Sequence, residues 1–112
     1  MTQEEILKNI RLILSSAEMV YANKDYTSAT ILYFKAAFLV LDHILLEKEG
    51  KTLKDHTERF RMLEKKYPEL YEFLDKRFKT YRDTYSISID KQKCEKVRED
   101  VKDIIKRYKI QI

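Results

Sequence analysis

Residues 31–46 read ILYFKAAFLVLDHILL, and this run decides the fold class of the 112-residue chain. Every position in it is apolar except Lys35, Asp42 and His43. A helix that is apolar nearly all round is buried on most of its sides. We therefore predict a central, buried helix from residue 26 or 27 to residue 49. Because the three polar residues interrupt the run, we expect it to fall short of a membrane span and expect no membrane partner.

Four further segments repeat apolar residues every three or four positions, which is the period of one helix face. They cover residues 2–22, 55–66, 68–85 and 91–108. The predicted inward-facing residues are Ile6, Ile10, Ile13, Ala17 and Val20 in the first; Phe60, Leu63 and Tyr67 in the second; Leu70, Phe73 or Leu74, Phe78 or Arg77, Tyr81 and Tyr85 in the third; and Cys94, Val97, Val101, Ile104 or Ile105, and Tyr108 in the last.

Short polar residues, Pro68 and Gly50 mark the ends of these helices. Thr2 followed by Glu5 is a capping-box pattern, and Asp25 or Thr27 is suited to begin the central helix. Pro68 fits a first helical turn, and Gly50 fits a left-handed C-terminal cap. Residues 86–90, SISID, alternate like a strand but have no partner strand, so we predict a loop with Ser88 or Asp90 as the next cap.

The composition excludes several classes of protein. One glycine and one proline leave too few turn signals for a β-sandwich or barrel, and a phosphate-binding loop needs several glycines. A single cysteine excludes a disulfide framework and a cysteine-based zinc site. We predict one domain over residues 1–112, an all-α, up-and-down bundle of four long helices and one short helix.

The charge is unevenly distributed along the chain. Residues 1–50 carry 5 Lys/Arg and 7 Asp/Glu, a net −2, whereas residues 51–112 carry 18 and 12, a net +6. A basic half favours an anionic partner such as RNA, although interleaved charges also form the solvated faces of ordinary helices. The N-terminus resembles no signal peptide, and a lone thiol suits a reducing compartment, so we expect a cytoplasmic protein.

The two histidines and the cysteine give no metal or cofactor site. A carboxylate metal site in a bundle uses Glu-x-x-His pairs, and no Glu stands three residues before His43 or His56. We interpret His43 as a hydrogen-bonded core residue, His56 as a capping or packing residue, and Cys94 as a buried, inert thiol.

Tyrosines and basic residues are interleaved between residues 71 and 85. Basic side chains among aromatic rings can hold phosphates and stack bases. The candidate RNA- or nucleotide-binding residues are Arg82, Tyr85, Arg77, Tyr81 and His56. The alternative is that each tyrosine packs in the core with its hydroxyl at the rim, and that Arg82 forms an ion pair with an acid such as Glu99.

Three stretches resemble the HEPN domain family, a group of small nucleotide- and RNA-associated helical bundles. They are Asp25-Tyr26 with ATILYFKAAFLVLDHILLEKEGK (29–51), Lys54-Asp55-His56, and Tyr81-Arg82-Asp83-Thr84-Tyr85. The resemblance covers roughly residues 25–108. Asp-Tyr-x-x-Ala (25–29) is also similar to one helix of a tetratricopeptide repeat, but no second repeat follows.

The resemblance implies the fold, a homodimer, and in some contexts a small nucleotidyltransferase partner, as in toxin–antitoxin pairs. Active family members carry an Arg and a following His separated by four to six intervening residues, and this pair cuts RNA. If Arg82 is that arginine, the histidine should stand at 87, 88 or 89, where the chain has Ile87, Ser88 and Ile89. We therefore expect a non-catalytic binding module, with a divergent ribonuclease or a structural helical adaptor as alternatives.

Overall fold

The computed structural model describes residues 2–51, 53 and 55–112. Over these residues the chain forms five helices and no strand. They are α1 (Gln3–Ala22), α2 (Tyr26–Glu49), α3 (His56–Lys66), α4 (Pro68–Asp83) and α5 (Lys91–Arg107). The all-α prediction is confirmed, and the predicted helix boundaries agree closely except at the end of α4.

The helix ends follow the local chemistry of the sequence. The Thr2 hydroxyl accepts from the Glu5 backbone N–H, and the Asp25 and Asp90 carboxylates accept from the third residue beyond each of them. Side-chain acceptors of this kind satisfy backbone donors that have no partner inside the helix. Gly50 follows α2 with φ of 76°, in the left-handed region that glycine occupies without a steric penalty.

Helix α2 lies at the centre of the hydrophobic core, as predicted. It packs most extensively on α1, then on α5 and α4, and buries side chains around most of its circumference, among them Tyr33, Phe34, Val40 and Leu41. One expectation is wrong: α2 is long and apolar enough to meet the length and composition criteria for a membrane span, despite its polar residues. About two thirds of that stretch is buried inside the bundle, which is also how a core helix behaves.

The inward faces of the outer helices are largely those predicted. Cys94, Val97, Val101 and Ile104 of α5 are all buried. On α1 the buried position is Leu14, whereas Ile13 is half-buried. Ile6, Ile10 and Ala17 are buried as predicted, so the predicted position is off by one residue at this turn of the helix.

The segment between α4 and α5 is a loop, as predicted. Ile89 is buried there, and its backbone N–H donates to Thr27 Oγ1 at 2.8 Å. This contact fixes the chain against the start of α2 before Asp90 begins α5.

Tyrosine hydroxyls at the rim of the core donate to glutamates on other helices. Four such bonds measure 2.5–2.7 Å, namely Tyr21–Glu95, Tyr33–Glu18, Tyr67–Glu49 and Tyr108–Glu69. These four tyrosines therefore follow the alternative in which the ring packs against the core and the hydroxyl lies at its rim.

Glu18 of α1 is the most heavily bonded of these acids. It accepts from Tyr33, from Arg98 Nε at 2.9 Å, and from Lys102. Burial alone raises the pKa of Glu18, but these hydrogen bonds outweigh it and bring the pKa to about 2. Glu18 thus joins α1 to α2 and α5 through its charged form.

Candidate nucleic-acid interface

Aromatic rings from α2, α3 and α4 meet around Tyr81. Its ring centroid lies 5.2 Å from those of both Phe34 and Phe38 and 5.9 Å from that of His56. Such edge-on and tilted ring pairs are favourable beyond the area they bury. We call this group the aromatic cluster, and its members are Phe34, Phe38, His56, Phe60, Phe78 and Tyr81.

A groove of about 180 Å³ opens on one side of the aromatic cluster, between α2 and the end of α4. We call it the tyrosine groove; it is lined by Ile31, Lys35, Phe38, Tyr81, Thr84 and Tyr85. Its floor is apolar, and among the described residues that line it Lys35 supplies the only charged side chain.

Tyr85 stands at the edge of this groove. The prediction placed it on the inner stripe of the fourth helix, and this is wrong because α4 ends at Asp83. The Thr84 hydroxyl donates to the Tyr81 carbonyl, and a turn follows. Tyr85 is 76% exposed, with its ring perpendicular to that of Tyr81 and the two hydroxyl oxygens 3.0 Å apart. It presents a ring face to solvent.

A second depression lies on the other side of the aromatic cluster. We call it the histidine hollow; it has a volume of about 300 Å³ and is lined by His56, Thr57, Phe60, Arg61, Glu64, Tyr71 and Phe78. His56 packs behind the tyrosine groove, because its ring centroid is 4.4 Å from that of Phe38, which lines the groove. The two depressions therefore share one aromatic wall.

His56 is held by a buried arginine that the sequence analysis missed. Arg59 is 6% exposed, donates to both carboxylate oxygens of Asp42 at 3.1 Å, and lies over the Phe38 ring. Its Nη1 is 2.8 Å from His56 Nδ1. An arginine can only donate, so His56 Nδ1 is the acceptor and a neutral ring carries its proton on Nε2.

Burial and the neighbouring Arg59 keep the His56 ring uncharged. Burial, followed by the charge of Arg59, lowers the pKa of His56. Burial raises the pKa of Asp42, although Arg59 opposes that change. His56 is consequently an uncharged aromatic ring at neutral pH, consistent with the packing role predicted for it.

Arg82 and Arg77 differ in their availability to a ligand. Arg82 is exposed on α4, its Cζ lies 6.0 Å from the centroid of the Phe78 ring, and it forms no ion pair within the described residues. The alternative of a salt bridge to Glu99 is therefore not observed. Arg77 is half-buried and donates from Nε to Asp100 at 2.6 Å, which commits its charge to the α4–α5 contact.

The structure thus brings together four of the five predicted residues. Tyr81 and Tyr85 line the tyrosine groove, His56 lies behind it, and Arg82 lies one helical turn from Phe78. Arg77 points into the α4–α5 contact. The predicted resemblance at Lys54 falls outside the described residues.

Lys35 is the groove residue that the sequence analysis did not nominate. The sequence did contain a signal for Lys35. A charged residue inside an otherwise apolar run marks the exposed strip of a central helix. Arg59 gave no such signal, since an arginine on a short charged helix is typical of the solvent side.

No other constellation in the described part of the chain supplies chemistry. It contains no group of three or more His, Cys, Asp or Glu suited to a metal ion. His43 is buried with Nδ1 2.5 Å from Gln3 Oε1, the hydrogen-bonded core role predicted for it. Cys94 is buried, and burial raises the pKa of its thiol, which leaves it a poor nucleophile.

Comparison of the chain with protein-family models, with curated proteins and with solved structures gave no match.

Proposed function

We propose that this chain is a non-catalytic, HEPN-like up-and-down bundle that binds single-stranded RNA or a nucleotide at the tyrosine groove. The observation that carries the proposal is the exposed ring of Tyr85, held against Tyr81 across a groove from Lys35. Proteins that bind single strands combine aromatic stacking platforms with positive charge along the backbone path. Tyr85 supplies the platform, and Lys35 and Arg82 supply the charge.

The absence of acid–base chemistry from residues 87–89 supports binding rather than cleavage. General acid–base catalysis needs a group that titrates near the working pH, and Ile87, Ser88 and Ile89 offer none. The competing hypothesis is a divergent ribonuclease in which His56 acts with Arg82 and Tyr85. Against it, the Nδ1 of His56 is occupied by Arg59.

The test is fluorescence anisotropy of labelled single-stranded RNA with the wild type and with the variants Tyr85→Ala, Tyr85→Phe and Arg82→Ala. Loss of one stacked ring is worth about 1–3 kcal/mol, so Tyr85→Ala should weaken binding at least about fivefold while Tyr85→Phe retains it. Arg82→Ala should weaken binding and its salt dependence together. Arg107→Ala is the control, because Arg107 is an exposed helical arginine on α5 that does not line the tyrosine groove, and its ion pair with Asp103 lies on that helix.

Equal binding by the wild type and Tyr85→Ala, or no binding by either, would remove the tyrosine groove from consideration and leave the structural-adaptor hypothesis. RNA cleavage by the wild type that is lost in His56→Ala would favour the ribonuclease hypothesis instead.

We also propose a homodimer formed through the region around Arg82. Ile87 is 50% exposed just after α4 and does not line the tyrosine groove, and apolar side chains are enriched in the cores of interfaces. Light scattering should give twice the monomer mass for the wild type and the monomer mass for Ile87→Glu. A monomeric wild type at micromolar concentration would refute this. The small nucleotidyltransferase partner implied by the resemblance stays a prediction.

A further inference from the structure

A third depression, which the proposed function does not use, lies between the residues before α3 and the outer face of that helix. It has a volume of about 330 Å³ and is lined by Lys51, Leu53, Glu58, Arg61, Met62, Lys65 and Lys66. We call it the basic hollow. Four of its lining residues are cations and one is an acid, and Leu53 and Met62 form an apolar part of its wall.

Two cations on α3 are available to an anionic ligand. Lys66 is committed to Glu49 at 2.8 Å, but neither Arg61 nor Lys65 forms an ion pair within the described residues. They are four residues apart on α3 and share one face of it. Like charges at this spacing destabilise a helix by a few tenths of a kcal/mol. A polyanion lying across them would remove that repulsion.

The basic hollow adjoins the histidine hollow, which lies beside the proposed binding site. Arg61 lines both it and the histidine hollow. The histidine hollow in turn ends at the rings of His56 and Phe78, which belong to the aromatic cluster that walls the tyrosine groove. Ring contacts then lead from Phe78 through Tyr81 to Tyr85, with centroids 5.5 and 5.7 Å apart, so aromatic rings connect the basic side chains of Arg61 and Lys65 to the exposed ring of Tyr85.

We infer that the ligand is a single-stranded oligonucleotide several residues long, with one end on the tyrosine groove and its phosphates crossing the basic hollow at Arg61 and Lys65. This inference rests on the proposed function and narrows it, because a mononucleotide would occupy the tyrosine groove alone. Single strands are recognised by the same combination of a basic path and stacked rings.

The experiment measures the affinity of the full chain for adenosine monophosphate, a four-nucleotide RNA and a twelve-nucleotide RNA of one repeated base. The variant is the double substitution R61Q/K65Q, and the matched control is K8Q/R11Q, which removes one lysine and one arginine from α1. Within the described residues α1 packs on α2 and not on α3 or α4. Glutamine forms helices nearly as well as either residue that it replaces, so circular dichroism should show both variants folded.

The wild type should bind the twelve-nucleotide RNA more tightly than the shorter ligands. R61Q/K65Q should remove most of this gain in affinity. It should also reduce the slope of log affinity against log salt concentration by about 1.4, the value expected for the loss of two phosphate contacts to a single strand. Binding of adenosine monophosphate should stay unchanged in this variant, and K8Q/R11Q should behave as the wild type.

The outcomes separate the two proposals. If affinity does not rise with RNA length, or if R61Q/K65Q binds all three ligands as the wild type does while Tyr85→Ala weakens them, the inference is wrong and the proposed function stands. If R61Q/K65Q loses the long RNA and Tyr85→Ala does not, the basic hollow binds RNA but the tyrosine groove does not. Equal competition by an oligoglutamate of the same charge would overturn the assignment to nucleic acid.

Discussion

Replacing Glu18 by glutamine should remove most of the stability that the ionised carboxylate gives to the junction of α1, α2 and α5. The carboxylate accepts from Tyr33, Arg98 and Lys102, which holds its pKa at about 2 against 4.5 in the unfolded chain. Such a difference in pKa corresponds to about 3 kcal/mol of folding free energy. The side chain is 33% exposed, so screening by solvent reduces this to on the order of 1–2 kcal/mol.

The sign of the effect fixes the pH range in which it is visible. A carboxylate whose pKa is depressed by folding stabilises the protein fully above its unfolded pKa, and the contribution is lost as the pH falls through the folded pKa. The difference in unfolding free energy between wild type and Glu18→Gln should therefore be constant above about pH 5 and should shrink progressively between about pH 4.5 and pH 2.

Urea unfolding followed by circular dichroism at about pH 6, pH 4 and pH 2.5 measures this difference over the relevant range. Glu99→Gln is the matched control, since Glu99 is exposed on α5 and forms no ion pair within the described residues. If Glu18→Gln unfolds with the same pH dependence as the wild type, the charge of Glu18 contributes nothing to stability through its bonds to Tyr33, Arg98 and Lys102. An effect equal to that of Glu99→Gln at every pH would carry the same conclusion.

Three further predictions concern the core, one cap and one buried ion pair. Phe38 is 9% exposed, so Phe38→Ala should cost about 3–5 kcal/mol in urea unfolding, and Leu39→Ala should cost less because Leu39 is half-buried. Gly50→Ala should lower the stability by about 1 kcal/mol, because φ is 76° and a residue with a Cβ is strained at that angle. The added Cβ would meet no atom within 4 Å, so backbone strain is the expected cause of the loss. An unchanged midpoint of urea unfolding would refute the strain argument. Arg59→Ala should cost about 3 kcal/mol because it leaves the Asp42 carboxylate, whose side chain is only 17% exposed, without its partner. Lys66→Ala, with a side chain that is 47% exposed, should cost under about 1 kcal/mol. Equal losses would contradict this.

Features that depend on neighbouring residues in the chain were predictable. The caps at Thr2, Asp25 and Asp90 and the left-handed Gly50 are encoded within a few positions, and the structure confirms them. The central position of α2 follows from an apolar run that leaves almost no polar face.

Features that depend on which helices meet were not predictable from one sequence. Arg59 is buried because α3 lies against Asp42 and Phe38, which precede it by 17 and 21 residues. Tyr85 was misplaced because a continued helical period said nothing about the turn that begins at Thr84. The sequence nominated Tyr81 and Tyr85 as candidates, but it could not show that Lys35 of α2 lines the same groove as they do.

The packing order of the helices has a consequence for how the protein opens. Helices α1, α2 and α5 share the largest contacts, whereas α3 packs mainly on α4, and α4 meets α2 and α5 through much smaller contacts. Units that share little contact with the remainder open at lower free energy than the whole molecule unfolds. Amide hydrogen exchange should therefore be faster in α3 and α4, as one cooperative pair, than in the middle of α2. The tyrosine groove lies across the boundary between these two units, so a ligand bound there should slow exchange in α3 and α4 more than in α1.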